Sequence, residues 1–304
     1  MSTREAYLSA IFGAALWGSI GLFVQPLYEY GFTAWEVVAI RAIFTALLLV
    51  SVLALFNRKL LKIKLRDLPL FIGSGIISIV FFNWCFFIVI EQSTLSLAVV
   101  LLYTGPLFVT ILSRIFFKEM FTKNKLIAVA LTLIGCGFVV GLLPAFHTSI
   151  TPRLLLIGVG SGFFYALYSI FAKVSSTRYS SLTITTYSFL CAALFMIPTS
   201  ALWNKSTLFT QLEISSLSLG LALFPTVLAY YFYTKGLAII ESSRAAIMST
   251  IEPVVAISIG FFVFSDRLTF WQWLGVTAVV LSIFLISRPE KAKPMQKNTP
   301  SQAM

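Results

Sequence analysis

AAIMSTIEPVVAISIGFFVFSDRL, residues 245–268, is a helix-length apolar run with one carboxylate near its middle, Glu252, followed at once by Pro253 and closing on Ser265-Asp266-Arg267. An ionisable side chain beside a helix breaker at mid-membrane depth marks a functional position, because lipid offers it neither solvation nor a partner. AVVLLYTGPLFVTILSRIFFKEMF, residues 98–121, has the same plan. Gly105-Pro106 stand where the later stretch has Glu252-Pro253, Lys118-Glu119-Met120 stand for Ser265-Asp266-Arg267, and the offset is 147 residues throughout. Two prolines and two acids at one spacing imply that the chain is written twice.

The rest of the composition fits a chain made to sit in lipid. Its 304 residues are 59% hydrophobic and 11% charged, with a mean hydropathy of +0.94, which leaves too few polar side chains to cover a water-facing surface. The net charge of +11 does not point to nucleic acid, since the basic residues are spread over short loops between apolar runs. Cys85, Cys136 and Cys191 each fall within an apolar run, and the one histidine, His147, lies in a loop. No metal spacing results, and neither a metal nor a cofactor is expected. The first apolar run follows Arg4 and Glu5, is long for a signal peptide and precedes further spans, so it reads as an uncleaved first helix.

Runs long enough to cross a core of ~30 Å fall at Leu8–Tyr28, Trp35–Phe56, Pro69–Ile90, Leu95–Phe117 and Leu126–Leu143, then at Arg153–Val174, Leu182–Trp203, Ser216–Ile240, Ala245–Phe264 and Phe270–Ser287. The expected architecture is all-α and integral to the membrane: ten transmembrane helices as two repeats, residues 8–143 and 153–287, joined by a connector at 144–152. The polar tail at 288–304 carries Pro289, Pro294 and Pro300 and reads as disordered. With the N-terminus cytoplasmic, 17 of the 22 lysines and arginines lie on the cytoplasmic side and three, Arg153, Lys205 and Arg267, outside, with Arg41 and Lys235 within spans. This bias places both termini in the cytoplasm. Five spans per repeat then turn the second repeat upside down relative to the first.

The duplication is also visible at the start of each half. Ala10, Ala14 and Gly18 share one helix face, as do Gly158, Gly162 and Ala166 at a shift of 148, with Trp17 answering to Tyr165. Small residues at this spacing let helix backbones approach closely in lipid. Asn83-Trp84-Cys85-Phe86 and Tyr230-Tyr231-Phe232-Tyr233 correspond at 147. An inverted repeat of this kind is the architecture of carriers that rock between two access states.

Ala15-Leu-Trp-Gly18, Arg41, Leu102-Tyr-Thr-Gly-Pro106 with Phe117-Lys-Glu119, and Ile251-Glu-Pro-Val254 with Asp266-Arg-Leu268 together resemble the EamA branch of the drug/metabolite transporter superfamily over residues 8–287. Each motif alone is weak; the doubled pattern carries the resemblance. It departs from the family pattern at Met120, where a basic residue is usual, and at Asp266, where glutamate is usual, but both acids are kept. The resemblance implies a ten-helix carrier with a central cavity, among members that mostly export amino acids, related metabolites or drugs, and it implies no particular substrate.

The candidate cavity-lining or substrate-binding residues are Trp17, Asn83, Trp84, Tyr103, Tyr165, Tyr168, Tyr230, Tyr233 and Glu252. The aromatics offer apolar or cation-accepting walls with hydroxyls for orientation, and Glu252 offers proton coupling, a site for a substrate ammonium group, or a packing contact. Pro106 and Pro253 are candidate hinges, since each frees a backbone carbonyl. Glu119 and Asp266 close equivalent helix ends and read either as gates or as loop caps. Arg41 is expected to snorkel outward from its helix, and Lys235 likewise. No GxxxxGK[ST] loop for direct ATP drive and no HExxH or triad parts for an enzyme occur. The expectation is a secondary transporter of the plasma membrane, most simply an exporter working by alternating access, whose partners are a small-molecule substrate and membrane lipids and whose assembly is a monomer or homodimer. A passive channel or facilitator is the alternative.

Overall fold

Hydroxyl side chains mark where the helices begin. Ser2 and Thr33 cap theirs reciprocally with Glu5 and Glu36, and Thr94, Thr122, Thr151 and Ser180 accept from the backbone N–H three residues on, satisfying donors that lipid would leave bare. The computed structural model of the chain describes residues 1–144, 150–263 and 267–287. The expectations placed on His147, on Asp266 and on the tail 288–304 lie outside the described residues.

Among the described residues there is no strand, and nine helices are long and apolar enough to cross a membrane. They are α1 (Thr3–Glu29), α2 (Ala34–Phe56), α3 (Leu65–Gln92) and α4 (Leu95–Phe117), then α6 (Pro152–Ser175), α7 (Ser181–Ser200), α8 (Leu212–Leu237), α9 (Ser242–Val263) and α10 (Phe270–Ser287). Between them α5, Lys123–Val139, has 17 residues and so reaches about 26 Å, shorter than the run expected at Leu126–Leu143. The large side chains left exposed, among them Leu55, Phe56, Leu156, Phe262 and Phe284, face outward as a lipid-contacting surface must.

Several helices are not continuous. α4 divides into Leu95–Leu102 and Gly105–Phe117, and α9 into Ser242–Met248 and Ile251–Val263. The breaks fall just before Gly105-Pro106 and Glu252-Pro253, so each proline opens the first turn of a new helical piece, where its missing N–H costs nothing. The loose carbonyls are taken locally, Leu101 by the Thr104 hydroxyl at 2.6 Å, Ala246 by Ser249 at 2.8 Å and Ile247 by Thr250 at 2.6 Å. α3 and α8 each contain a widened, π-type stretch, Gly73–Val80 and Leu223–Leu228. In α8 Pro225 cannot donate to Leu221, and the Thr226 hydroxyl donates to that carbonyl instead at 2.8 Å. α1 is broken at Ser19-Ile20, whereas α6, its counterpart by sequence offset, runs unbroken.

Packing pairs the two halves crosswise. α1 lies against α8 and α9, as α6 lies against α3 and α4; α2 packs on α7, and α5 on α10. Small residues permit the close crossings: a Cβ on Gly13 would meet the Tyr233 backbone nitrogen at 2.5 Å, and one on Gly18 would meet the Glu252 carbonyl oxygen at 2.6 Å. Thr132 of α5 donates to Ser282 of α10 at 3.1 Å. Cys85, Cys136 and Cys191 are all buried and unpaired.

Candidate functional site

Where α1, α3, α6 and α8 meet, aromatic rings close on one another. Trp17 stands edge-on to Tyr230 with centroids 5.1 Å apart, lies 5.0 Å from Tyr233 and 6.5 Å from Tyr165, and Tyr168 meets Tyr230 edge-on at 4.8 Å. Between them is a small cavity of about 10 Å³, bordered by Trp17, Ser78, Phe82, Tyr165, Tyr168, Ser169, Tyr230 and Tyr233. Its free interior admits at most one water molecule, so the helices are packed closely around it.

Most hydroxyls in this wall are already engaged. Tyr168 pairs with Thr234 and Tyr233 with Ser169, both at 2.8 Å, and Tyr165 donates to Ser249 at 3.5 Å. The Arg41 guanidinium lies 5.5 Å from the Tyr230 ring centroid and 6.0 Å from that of Phe189, and its Nε donates to the Thr226 hydroxyl at 3.0 Å. The widened turn of α8 thus delivers Thr226 to the buried arginine.

Glu252 and Tyr103 form a second polar cluster beside the cavity. The Tyr103 phenol lies near the half-buried Glu252 carboxylate, and Arg41 is the nearby cation. Gly18 fixes the approach of α1 to this point, since its missing side chain leaves room for the Glu252 backbone.

The two ends of the bundle carry charges that join the halves. At the Tyr7 end of α1, Glu119 accepts from the backbone N–H groups of Ser242 at 2.6 Å and Ser243 at 3.2 Å and from the Ser243 hydroxyl. Lys125, 1% exposed, lies 3.7 Å from Glu119 and 3.2 Å from Glu241. Arg244 binds Glu241 at 2.6 Å, the Ile286 carbonyl at 2.7 Å and the Tyr7 hydroxyl at 3.3 Å. Burial pushes the Glu241 carboxyl up, but Arg244 and Lys125 outweigh it and hold the group below the usual carboxylate range. Asp67, in the first turn of α3, pairs with Arg178 of the loop between α6 and α7 and accepts from Tyr179 of the same loop at 2.6 Å. At the opposite, Gly31 end of α1, Lys205 Nζ reaches Glu36 at 2.7 Å and the Gly31 carbonyl at 2.8 Å, over the Phe32 ring at 5.3 Å.

Of the residues singled out by sequence, Trp17, Tyr165, Tyr168, Tyr230 and Tyr233 meet at the cavity, and Tyr103 and Glu252 meet beside it. Asn83 is buried, but its amide donates back to the Ile79 carbonyl at 2.6 Å, within its own helix. Trp84 points away, 52% exposed, into a surface groove with Trp35 and Glu91. Pro106 and Pro253 lie at the helix breaks, and Glu119 lies at the charged end. Arg41 does not snorkel outward: it is 7% exposed and turned inward. Sequence reading missed it as a site residue, together with Ser78, Phe82, Ser169 and Thr226, because an arginine two turns from a helix end fits either direction, and serines in apolar helices carry no distinguishing pattern.

The chain is 28% identical over 298 residues to an uncharacterized inner membrane transporter, YicL, of Salmonella typhimurium, covering 94% of this chain and 96% of that protein. It is 23% identical to an uncharacterized transporter, YetK, of Bacillus subtilis, over 92% of this chain and 86% of that one. A protein of known crystal structure superposes with a TM-score of 0.78 at 14% identity, covering 93% of this chain and 96% of that chain, which bears on the fold alone. With the apolar helices, these relatives define a multi-pass membrane transporter and not an enzyme. The description of the EamA-like transporter family matches residues 4–141 and again 153–288, and the chain belongs to that family.

Proposed function

We propose that the protein is a secondary transporter that moves a small organic metabolite, of the amino-acid or related class, outward across the plasma membrane by alternating access, with both termini in the cytoplasm. The observation that carries this reading is a closed central cavity set between charged contacts at both ends. Each set joins the first half to the second: Glu119 and Lys125 with Glu241 and the Ser242-Ser243 backbone at one end, Glu36 with Lys205 at the other. Parting one set while the other holds opens the cavity to one side at a time. The breaks before Gly105-Pro106 and Glu252-Pro253 are the natural hinges, since each proline lacks the N–H that would continue the ladder and nearby carbonyls bond to local hydroxyls. The lysine and arginine asymmetry supports the orientation.

The test is efflux from cells preloaded with amino acids and related metabolites, run beside Glu252→Gln at matched membrane abundance. Wild type is expected to show saturable efflux and counterflow, and Glu252→Gln to lose about tenfold or more of the rate with normal abundance, as for a group needed in transit rather than in folding. Unsaturable flux without counterflow would identify a passive channel, and unimpaired efflux by the variant would return Glu252 to a packing role.

A further inference from the structure

The cavity wall contains two polar groups that nothing in the protein uses. Among the described residues, the Trp17 indole N–H and the Ser78 hydroxyl have no hydrogen-bond partner, although Trp17 is 6% exposed and Ser78 fully buried. The hydroxyls of Thr45, Ser93, Ser200 and Ser242 are unpaired as well, but none of them borders the cavity. Helical serines in this chain ordinarily bond back to a carbonyl three or four residues earlier, as Ser74, Ser161 and Ser218 do. Ser78 lies in the widened stretch of α3 and does not.

A buried donor left unpaired is unfavourable, and a water or a ligand held at that point completes it. An indole N–H only donates, whereas a serine hydroxyl donates or accepts. A ligand that satisfies the indole must therefore offer an acceptor, and the hydroxyl can donate to an acceptor too. The repeat supplies no second copy, because the offset of 147 brings Pro225 opposite Ser78, and Tyr165, the counterpart of Trp17, bonds Ser249. The acceptor-reading point is thus confined to one half, and the ligand enters in one orientation.

We propose that Trp17 Nε1 and Ser78 Oγ together recognise an sp² oxygen, a carbonyl or carboxylate, on a carried molecule whose apolar body lies among the surrounding rings. This rests on the carrier reading above and adds the chemical feature that the cavity selects. The cavity widens to receive such a molecule when the halves part.

Binding of three probes that share a phenyl ring tests it, by titration calorimetry on the purified full-length protein: phenylacetate and phenylacetamide, which carry the oxygen, and phenethylamine, whose ammonium has no acceptor. Phenylacetate or phenylacetamide is expected to bind wild type at least tenfold more tightly than phenethylamine. Trp17→Phe, which keeps a ring and removes the N–H, and Ser78→Ala are each expected to lose about tenfold toward the oxygen-bearing probes, with an unchanged thermal unfolding midpoint. Equal binding of the amine, unchanged affinity in both folded variants, or no binding of either oxygen-bearing probe overturns the proposal. If wild type and Trp17→Phe export the same solutes at the same rates, the recognition point fails while the carrier reading stands. If the probes bind with the expected selectivity but no solute is exported, the carrier reading fails and the recognition point stands.

Discussion

Arg41 shows what one side chain does to the centre of the bundle. Its planar guanidinium lies over the rings of Tyr230 and Phe189 while Nε holds Thr226, an arrangement that a lysine ammonium reproduces only as a point charge. Arg41→Lys is therefore expected to keep the charge yet lower stability by about 1–2 kcal/mol, measured as a fall in the thermal unfolding midpoint in detergent. Arg41→Gln is expected to lower it further, since the attraction on Glu252 is lost as well. An unchanged midpoint in both would show that the stacking contributes nothing. At this scale Glu252 was legible from sequence, because a carboxylate next to proline in an apolar run has few ordinary explanations. The direction of Arg41 was not, because it depends on which helix lies opposite, and no local pattern encodes that. Trp84 and Tyr103 illustrate the same limit: both are aromatic residues within a predicted span, yet one is 52% exposed and the other 3%.

At the scale of the helix, irregularities place the side chains. The Pro225 turn brings Thr226 to Arg41, the widened stretch of α3 leaves Ser78 unspent, and the break in α9 sets Glu252 at the start of a fresh helical piece. Gly18 is where α1 passes this point, with a Cβ there falling 2.6 Å from the Glu252 carbonyl and 2.7 Å from the Val255 side chain. Gly18→Ala is expected to force the two helices apart, costing about 1–3 kcal/mol by overpacking and reducing efflux by moving Glu252. Gly21→Ala, where nothing stands within 4 Å, is the control and should do neither. Equal behaviour of the two variants would show that the crossing is not tight. The positions of the prolines gave the breaks in α4 and α9 from sequence to within a few residues. The break in α1 at Ser19-Ile20 was hidden, since those residues are compatible with helix and the matching part of α6 is continuous.

Across the whole molecule, the ends differ in strength. The Tyr7 end joins the halves through buried Glu119 and Lys125 against Glu241 and Ser243, through Arg244 to Tyr7 and through the Asp67–Arg178 pair, whereas the Gly31 end has Lys205 and Glu36, with the lysine 30% exposed. Lys125→Ala is expected to speed backbone hydrogen exchange at 119–125 and 241–244 while 31–36 stays protected, and Lys205→Ala to do the reverse. Parallel changes at both ends would contradict independent opening. The Tyr7 end should also respond to acid. Because the folded Glu241 carboxyl titrates below its ordinary value of 4.5, its contribution to stability is fully present above that pH and is lost as pH falls through the lowered folded value. Wild type is thus expected to lose more thermal stability between about pH 5 and pH 3 than Glu241→Gln, and equal losses would remove Glu241 from the account. The membrane class and the family were readable from sequence because they rest on composition and on motifs recurring at a fixed offset. The charged contacts between halves were not, because they join residues more than 100 positions apart, as Glu119 to Ser242 or Lys205 to Glu36.

The burial of Cys85, Cys136 and Cys191 has a practical sequel. A maleimide added from either side of the membrane finds no exposed native thiol among them, so the wild-type chain is already a quiet background for site-directed labelling. One cysteine introduced beside Lys125 or beside Lys205 would then report, by its rate of modification in intact vesicles, which mouth of the protein is open while a solute passes through.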